Sequence, residues 1–341
     1  MSPTIAWPTT GRLGSRMSKL VNVASTAFFA LACAAVNAAD SACDRACLIG
    51  VADTYLAAIA AHDPSKAPLS EHVAFVENIK KTPVGQGIWA AAAGKATAFK
   101  IYVPDPVAGQ IGLMTVIDRR TPSGVVPAQL AVRLKVVDGK IVEAEHIVAD
   151  VTNKEAVARL AAPRPNMLAI VPEQDRERGQ LATIAGSYYD ALDDSDGRLA
   201  PFAEDCQREE NGLITAGPNL PPASPDTVDV HGNKPPPLAR DCFGQMSSRR
   251  FAYVDTIDNR RVFAVDPVQG LAMGLSHFRQ SMKLGPQLLI AADGSHVMWE
   301  EKRDPYDLPA AHIFKITHGQ IHEVEAIGIF VPYDSPTGWE K

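Results

Sequence analysis

Much of what this chain does not do follows from what its sequence leaves out. It contains no G-x-G-x-x-G, no P-loop, no G-x-S-x-G and no H-E-x-x-H. Those patterns cradle phosphates, carry a nucleophilic serine or hold a catalytic zinc. No cofactor is therefore expected, and the common hydrolase triads are disfavoured. No Cys-x-x-Cys occurs among the five cysteines, and no histidine pair lies near them in sequence, so a structural metal site is disfavoured. Cationic residues are in deficit, 33 Lys and Arg against 39 Asp and Glu. That argues against nucleic acid or an anionic membrane as partner. Beyond residue 38 no run is long and apolar enough to span a bilayer.

What is present begins with an export signal. Arg12, Arg16 and Lys19 precede an apolar run from Leu20 to Ala35, and Val36-Asn37-Ala38 supplies small residues at −3 and −1. The pattern predicts a signal peptide over residues 1–38 and a periplasmic or secreted protein with no membrane contact after cleavage. A transmembrane anchor is the competing reading, disfavoured because the run is short and alanine-rich. Cleavage would remove three basic residues and no acids, leaving a charge of 30 − 39 = −9. Four cysteines would remain. An even count in an exported chain suggests two disulfides, and the pairing favoured is Cys43–Cys47 with Cys206–Cys242.

The mature sequence repeats itself. Leu48–Asn78 aligns without a gap on Leu181–Asn211, 133 positions later, with Tyr55 answering Tyr188 and Glu77-Asn78 answering Glu210-Asn211. DPVAG at Asp105 matches DPVQG at Asp266. KVVDGKIVEAEHI at Lys135 matches KITHGQIHEVEAI at Lys315. Three blocks in one order indicate two copies of a domain: residues 43–150 and 178–335, joined by a proline-bearing linker over 151–177. An intramolecular pairing of the copies follows as an expectation. The second copy carries an insert, residues 216–240, with seven prolines and no apolar period, which reads as a loop.

Within each copy a helix comes first. Leu48, Val51, Ala52, Tyr55, Leu56 and Ile59 form an apolar stripe that stops at His62-Asp63-Pro64. A strand at Val73–Glu77, an alanine-rich helix at Trp89–Ala98 and four alternating strands follow, the last two joined at Asp138-Gly139. The second copy is expected to hold a helix over 178–193, one strand near 206–215, a helix near 244–250 and a further run of strands. Helices before antiparallel strands predict an α+β fold.

CDRACL at Cys43, HDPSKAPLSEHVAFVEN at His62, LKVVDGKIVEAE at Leu134 and PFAEDCQREENG at Pro201 resemble the nuclear-transport-factor-2-like (SnoaL-like, cystatin-like) superfamily. Within it they resemble an exported fungal and bacterial group of uncharacterised function. The resemblance implies two cone-shaped domains, each a curved antiparallel sheet wrapped around N-terminal helices, with a pocket between cone and helices. Superfamily members include isomerases, dehydratases, cyclases, epoxide hydrolases and non-catalytic binders. Ketosteroid-isomerase-like members carry an aspartate base about where Asn78 and Asn211 fall here, one position beyond Glu77 and Glu210.

The candidate site residues are therefore Glu210, Asn211, Glu77, Asn78, Tyr188 and Tyr55. A carboxylate inside an apolar cone is suited to move protons near neutral pH, and a tyrosine facing the cone is suited to stabilise a substrate oxygen. Against this stand plainer readings: Glu-Asn holding the backbone of a bend, and each tyrosine as a core residue. Glu143, Glu145, Glu323 and Glu325 are expected to share a sheet face with Ile141, Ile147, Ile321 and Ile327, as a solvated or interdomain surface. The overall expectation is an exported protein that binds a small, largely apolar organic molecule. Catalysis, if present, would be that of a cofactor-free lyase, isomerase or hydratase. The alternative is a non-catalytic binding or assembly module whose halves form a pseudo-dimer.

Overall fold

The computed structural model describes residues 43–222, 234–301 and 303–340. The expected signal peptide lies outside the described residues, as do residues 223–233 of the insert.

The first half runs α1 (Arg45–Ala60), β1 (Leu69–Glu77), β2 (Lys80–Lys81), α2 (Ile88–Ala91), β3 (Lys100–Asp105), β4 (Gln110–Thr121), β5 (Gly124–Val137) and β6 (Lys140–Asp150). Two short helices, α3 (Lys154–Arg159) and α4 (Pro165–Leu168), lead to the second half. That half contains α5 (Arg178–Asp193), β7 (Phe202–Glu210), β8 (Leu213–Ala216), α6 (Cys242–Ser247), β9 (Thr256–Asp266) and β10 (Leu271–Gln280). It continues through the hairpin β11 (Gln287–Ile290) and β12 (His296–Trp299), then β13 (Tyr306–Thr317), β14 (Gln320–Gly328) and β15 (Val331–Pro332). The sheets have orders β2-β1-β6-β5-β4-β3 and β8-β7-β14-β13-β10-β9, so position for position the second half repeats the first. Each is antiparallel apart from one parallel pair, β1 with β6 and β7 with β14. The α+β architecture with two cone-like halves is present.

Local chemistry explains the leading helices. Asp44 caps α1 by accepting from Cys47 N, and Glu177 caps α5 by accepting from Gly179 N and Gln180 N, satisfying otherwise orphaned amides. Leu48, Ala52, Tyr55, Leu56 and Ile59 are buried inside the first cone, and Leu181, Ala185, Tyr188 and Tyr189 inside the second. Both expected disulfides are present, with S–S distances of 2.01 Å for Cys43–Cys47 and 2.05 Å for Cys206–Cys242.

Several expectations are corrected. The alanine-rich stretch Trp89–Ala98 is helical only to Ala91. Ala93 N and Thr97 N donate instead to Asp118 O and Val116 O on β4, so pairing along a sheet edge overrides alanine's helix propensity. The expected single strand at 206–215 is a hairpin, because Asn211 and Gly212 both adopt positive φ (49° and 74°), the geometry of a type I′ turn. The proline-bearing linker over 151–177 is packed down, with Val151, Ala156, Leu160, Met167 and Val171 buried. Ile141 and Ile321 do not share a face with the neighbouring glutamates. Opposite Lys135-Val136 the strand β6 carries one extra residue, Val142, and opposite Lys315-Ile316 β14 carries His322; each bulge turns its isoleucine into the cone.

A third core lies between the halves. Ile101, Val103, Met114 and Ile147 of the first sheet pack with Phe263, Met273, Leu275 and Ile313 of the second. Gly112 sits under Met273, its own counterpart in the repeat; a Cβ there would lie 2.4 Å from the Met273 sulfur. Around this core the contacts are reciprocal. Arg45 at the start of α1 binds Asp266 of the second half at 2.8 Å, and Arg178 at the start of α5 binds Asp105 of the first at 2.6 Å. Arg45 and Arg178 are themselves 133 positions apart, and both aspartates are fully buried. Such self-complementary contacts characterise a two-fold dimer interface, here within one chain.

Charged groups also cross the interface. Arg261 holds Glu145 at 2.7 Å. On the other side Arg164 lies among Glu209, Glu323 and Glu325, and Gln129 donates to Glu325. Burial drives the Glu325 carboxyl up to about 8, with Arg164 opposing and Glu209 adding to the shift.

Two stability predictions follow from these contacts. Arg178→Met leaves the Asp105 carboxylate without its cation and should cost about 2–3 kcal/mol in urea unfolding, typical for loss of a charged hydrogen-bonded partner. Glu325 is protonated more readily in the folded than in the unfolded chain, so its ionisation erodes stability as pH rises from about 4.5 to about 8. Glu325→Gln should therefore be close to neutral at pH 5 and stabilising at pH 8.5, measured by the same denaturation at both values.

Candidate functional site

The matched residues build different interiors in the two halves. In the first, β1 and β6 place Glu77 opposite His146. Tyr55 Oη lies 3.1 Å from His146 Nε2, and His146 Nδ1 lies 3.2 Å from Glu77 Oε2. The carboxylate can only accept, so the imidazole donates from Nδ1 and receives the tyrosine hydroxyl at Nε2. Both Glu77 oxygens also lie 3.0 Å from Ile88 N. The approach is close enough that a Cβ on Gly87 (φ 64°) would lie 2.1 Å from Glu77 Oε1, which requires glycine there. Phe75 packs edge-on against His146 at 4.8 Å, and Trp89 against Tyr55 at 5.1 Å. The site is filled by its own side chains. Burial raises the Tyr55 hydroxyl far above its usual range, so it stays protonated.

In the second half two substitutions open this arrangement. Ala326 stands where the first half has His146, and pairs with Glu210 across the strands. Arg208 stands where the first half has Phe75. Arg208 Nε donates to Tyr188 Oη at 3.0 Å, and its Nη1 donates to Gln245 Oε1. The guanidinium sits 5.5 Å from the ring centres of both Tyr188 and Phe251, within cation–π range. Gln245 is carried by α6, which Cys206–Cys242 ties to β7, and its amide donates to Thr215 O. Burial raises the Tyr188 hydroxyl. His312, buried against Tyr189 Oη at 3.2 Å, is pushed down to about 3 by burial and by Arg208, so it stays neutral.

Beside Arg208 lies a cavity of about 860 Å³. Its floor carries Arg208 and Glu210, which lie two apart on β7 and so share a face. Its walls include Leu213, Ile214, Phe251 and the proline-rich residues 235–237. Glu210 is half-buried and receives no hydrogen bond from any described residue, in contrast to Glu77. Tyr188 lies beneath the cavity, behind Arg208, rather than in its wall.

Asn78 and Asn211 occupy a different setting. Asn78 Nδ2 donates to Val148 O at 3.1 Å and its Oδ1 accepts from Val148 N at 2.8 Å. Asn211 makes the same two bonds to Gly328, at 3.0 and 2.9 Å. Both residues have positive φ, 47° and 49°, which asparagine tolerates better than most residues. Each amide therefore finishes the edge of a strand and neither reaches the cavity. Of the residues singled out from sequence, Glu210 alone lines the cavity, while Tyr55 and Glu77 join in a closed network. Arg208, His146 and Gln245 were missed. The first two carried a signal: they are mismatches, Phe75 against Arg208 and His146 against Ala326, at inward-facing positions inside well-matched blocks. The histidines near the last hairpin do not converge: His318 pairs with Asp175 and His322 with Asp205.

Comparison with known proteins places this half in context. A family model described as a domain of unknown function, DUF8021, matches residues 174–328, the copy that carries the cavity. No curated protein matches the chain in sequence. Among solved structures, PrhC from Penicillium brasilianum NBRC 6234 is 15% identical, with 30% of this chain and 79% of that one covered and a TM-score of 0.26. AclR from Streptomyces galilaeus, provisionally called a hydroxylase, is 18% identical, with 38% and 91% covered and a TM-score of 0.27. A protein from Silicibacter sp. tm1040, provisionally called a polyketide cyclase, is 16% identical, with 45% and 89% covered and a TM-score of 0.27.

The disulfide supports the cavity wall directly. Cys206–Cys242 closes a loop of 36 residues, which constrains the unfolded chain by about 4 kcal/mol on the chain-entropy model. The double substitution Cys206→Ser/Cys242→Ser should lower stability by an amount of that order. It should also release α6, and with it Gln245, from β7. Amide exchange over residues 242–247 should then rise well above that of α1.

Proposed function

We propose that this is an exported small-molecule-binding protein in which the second half holds the ligand and the first half is its scaffold. The observation that carries the reading is the contrast between the matched interiors. Glu77 is consumed by His146 and Ile88 in a filled core, whereas Glu210 lines an open cavity of about 860 Å³. A cavity of that size is suited to a small organic molecule, and its lining joins apolar side chains such as Leu213, Ile214 and Phe251 to charged ones, Arg208 and Glu210 among them. Two disulfides support passage through an oxidising compartment. The reciprocal clamps support a built-in pseudo-dimer in place of assembly from separate chains.

Where the protein is catalytic, the chemistry that fits is proton transfer without a cofactor, as in a lyase, isomerase or hydratase. Glu210 would take or return the proton, and Arg208 would polarise an oxygen of the substrate. Ala326 in the place of a histidine favours a second reading, a binder without turnover, because Glu210 has no imidazole partner to relay a proton.

Thermal-shift and native mass-spectrometric screening of small organic molecules tests the binding reading; occupancy of one ligand per chain is expected. Glu210→Gln should weaken that binding or abolish turnover while changing the melting temperature little. Glu77→Gln should do the opposite, costing about 1–3 kcal/mol of stability through its lost hydrogen bonds and leaving binding nearly intact. The scaffold assignment is wrong if the effects are exchanged.

A further inference from the structure

Arg208 is 4% exposed, yet no carboxylate lies within ion-pair distance of it among the described residues. The other deeply buried arginine, Arg133, is held by Glu143 and Glu145, which is how a fold normally accommodates an interior guanidinium. Among the described residues Arg208 has only neutral hydrogen-bond partners, the Tyr188 hydroxyl and the Gln245 amide. Burying an unpaired charge costs several kcal/mol, and nothing in the packing requires one here, since Phe75 fills the equivalent place in the first half.

The partners also fix how the guanidinium points. Nε is spent on Tyr188 and one Nη1 hydrogen on Gln245, while the rings of Tyr188 and Phe251 flank the cation. Nη2 donates to no described group. With the second Nη1 hydrogen it leaves a two-pronged donor edge uncommitted among the described residues, on a side chain that lines the cavity. That edge matches a planar carboxylate, which binds arginine through two parallel hydrogen bonds. The surrounding charge agrees. Arg159, Lys234, Arg240 and Arg250 also line the cavity, against Glu155 and Glu210, although the chain as a whole is acidic.

Resting on the cavity as the ligand site, we propose that the ligand is an organic acid: an apolar body whose carboxylate pairs end-on with Arg208. Glu210, two residues along the same face, then lies beside the part of the ligand next to that carboxylate.

The test uses the full mature chain and matched probes that differ only in charge. 1-Naphthoate and decanoate are titrated calorimetrically against 1-naphthamide and decanamide. At least one acid should bind about ten-fold or more tightly than its amide, one per chain, with affinity falling as salt is raised. Arg208→Met should remove that preference, bringing each acid's affinity down to that of its matched amide. Replacing a buried cation by an apolar side chain is often tolerated; should this variant not fold, the acid-to-amide ratio and the salt dependence of the unaltered protein decide alone. Amides that bind as well as the acids overturn the carboxylate inference and leave the cavity reading standing. Failure of all four probes to bind at millimolar concentration overturns the cavity reading, and the inference with it.

Discussion

The reciprocal ion pairs, Arg45 with Asp266 and Arg178 with Asp105, are the constraint on which the rest of the structure depends. Each joins the first turn of one half's leading helix to the end of the other half's edge strand, β9 or β3. Each aspartate is sealed from water, so its charge is tolerable only with its arginine in place. The pairs therefore do more than add attraction. They require that both helices, both DPVxG turns and both sheets be formed and docked together. The interface core of Ile101, Met114, Met273 and Ile313 is then buried on the convex side of both sheets, leaving each concave side to be filled by its own helix.

With the outer faces fixed, the two interiors are free to diverge without threatening the fold. The first half spends its interior on packing: Phe75, Trp89, Tyr55 and His146 close around Glu77. The second replaces the phenylalanine with arginine and the histidine with alanine. Alanine withdraws volume beside Glu210, and arginine brings a charge that no described carboxylate matches. The proline-rich residues after β8 and the helix held by Cys206–Cys242 then wall the space that results. With the same strand order built twice in one chain, one half can keep a filled core while the other gives up part of its own.

Much of the fold was legible in the sequence, and the reasons differ by element. The leading helices were readable because Leu48, Ala52, Tyr55 and Ile59 keep a helical period that stops at His62-Asp63-Pro64. The disulfides were readable because four cysteines admit few pairings. The Asp138-Gly139 turn was readable from its residue types, and the Asn211-Gly212 turn should have been. Trp89–Ala98 was misread because its backbone finds partners on β4, a tertiary fact that local propensity does not contain. The bulges at Val142 and His322 defeated simple alternation. The clamps were hidden for a plainer reason: DPVAG and DPVQG served as markers of the repeat, and nothing in one half announces that its cation is supplied by the other.

The candidate site was half legible for a related reason. A pair retained in both copies, Glu-Asn, invites one explanation, but the two residues are retained for different reasons. Asn78 and Asn211 make the same pair of backbone hydrogen bonds at the same positive-φ turn, so the geometry of the strand end accounts for both. Glu77 is accounted for by Ile88 N and His146. Glu210 has neither counterpart: no helix amide reaches it, and alanine faces it across the strands. Its retention cannot come from the contacts that hold Glu77. What it has instead is a share of the cavity floor with an arginine that has no carboxylate partner among the described residues. The carboxylate and that guanidinium, set two residues apart on one strand, are the polar groups through which the proposed ligand would be oriented.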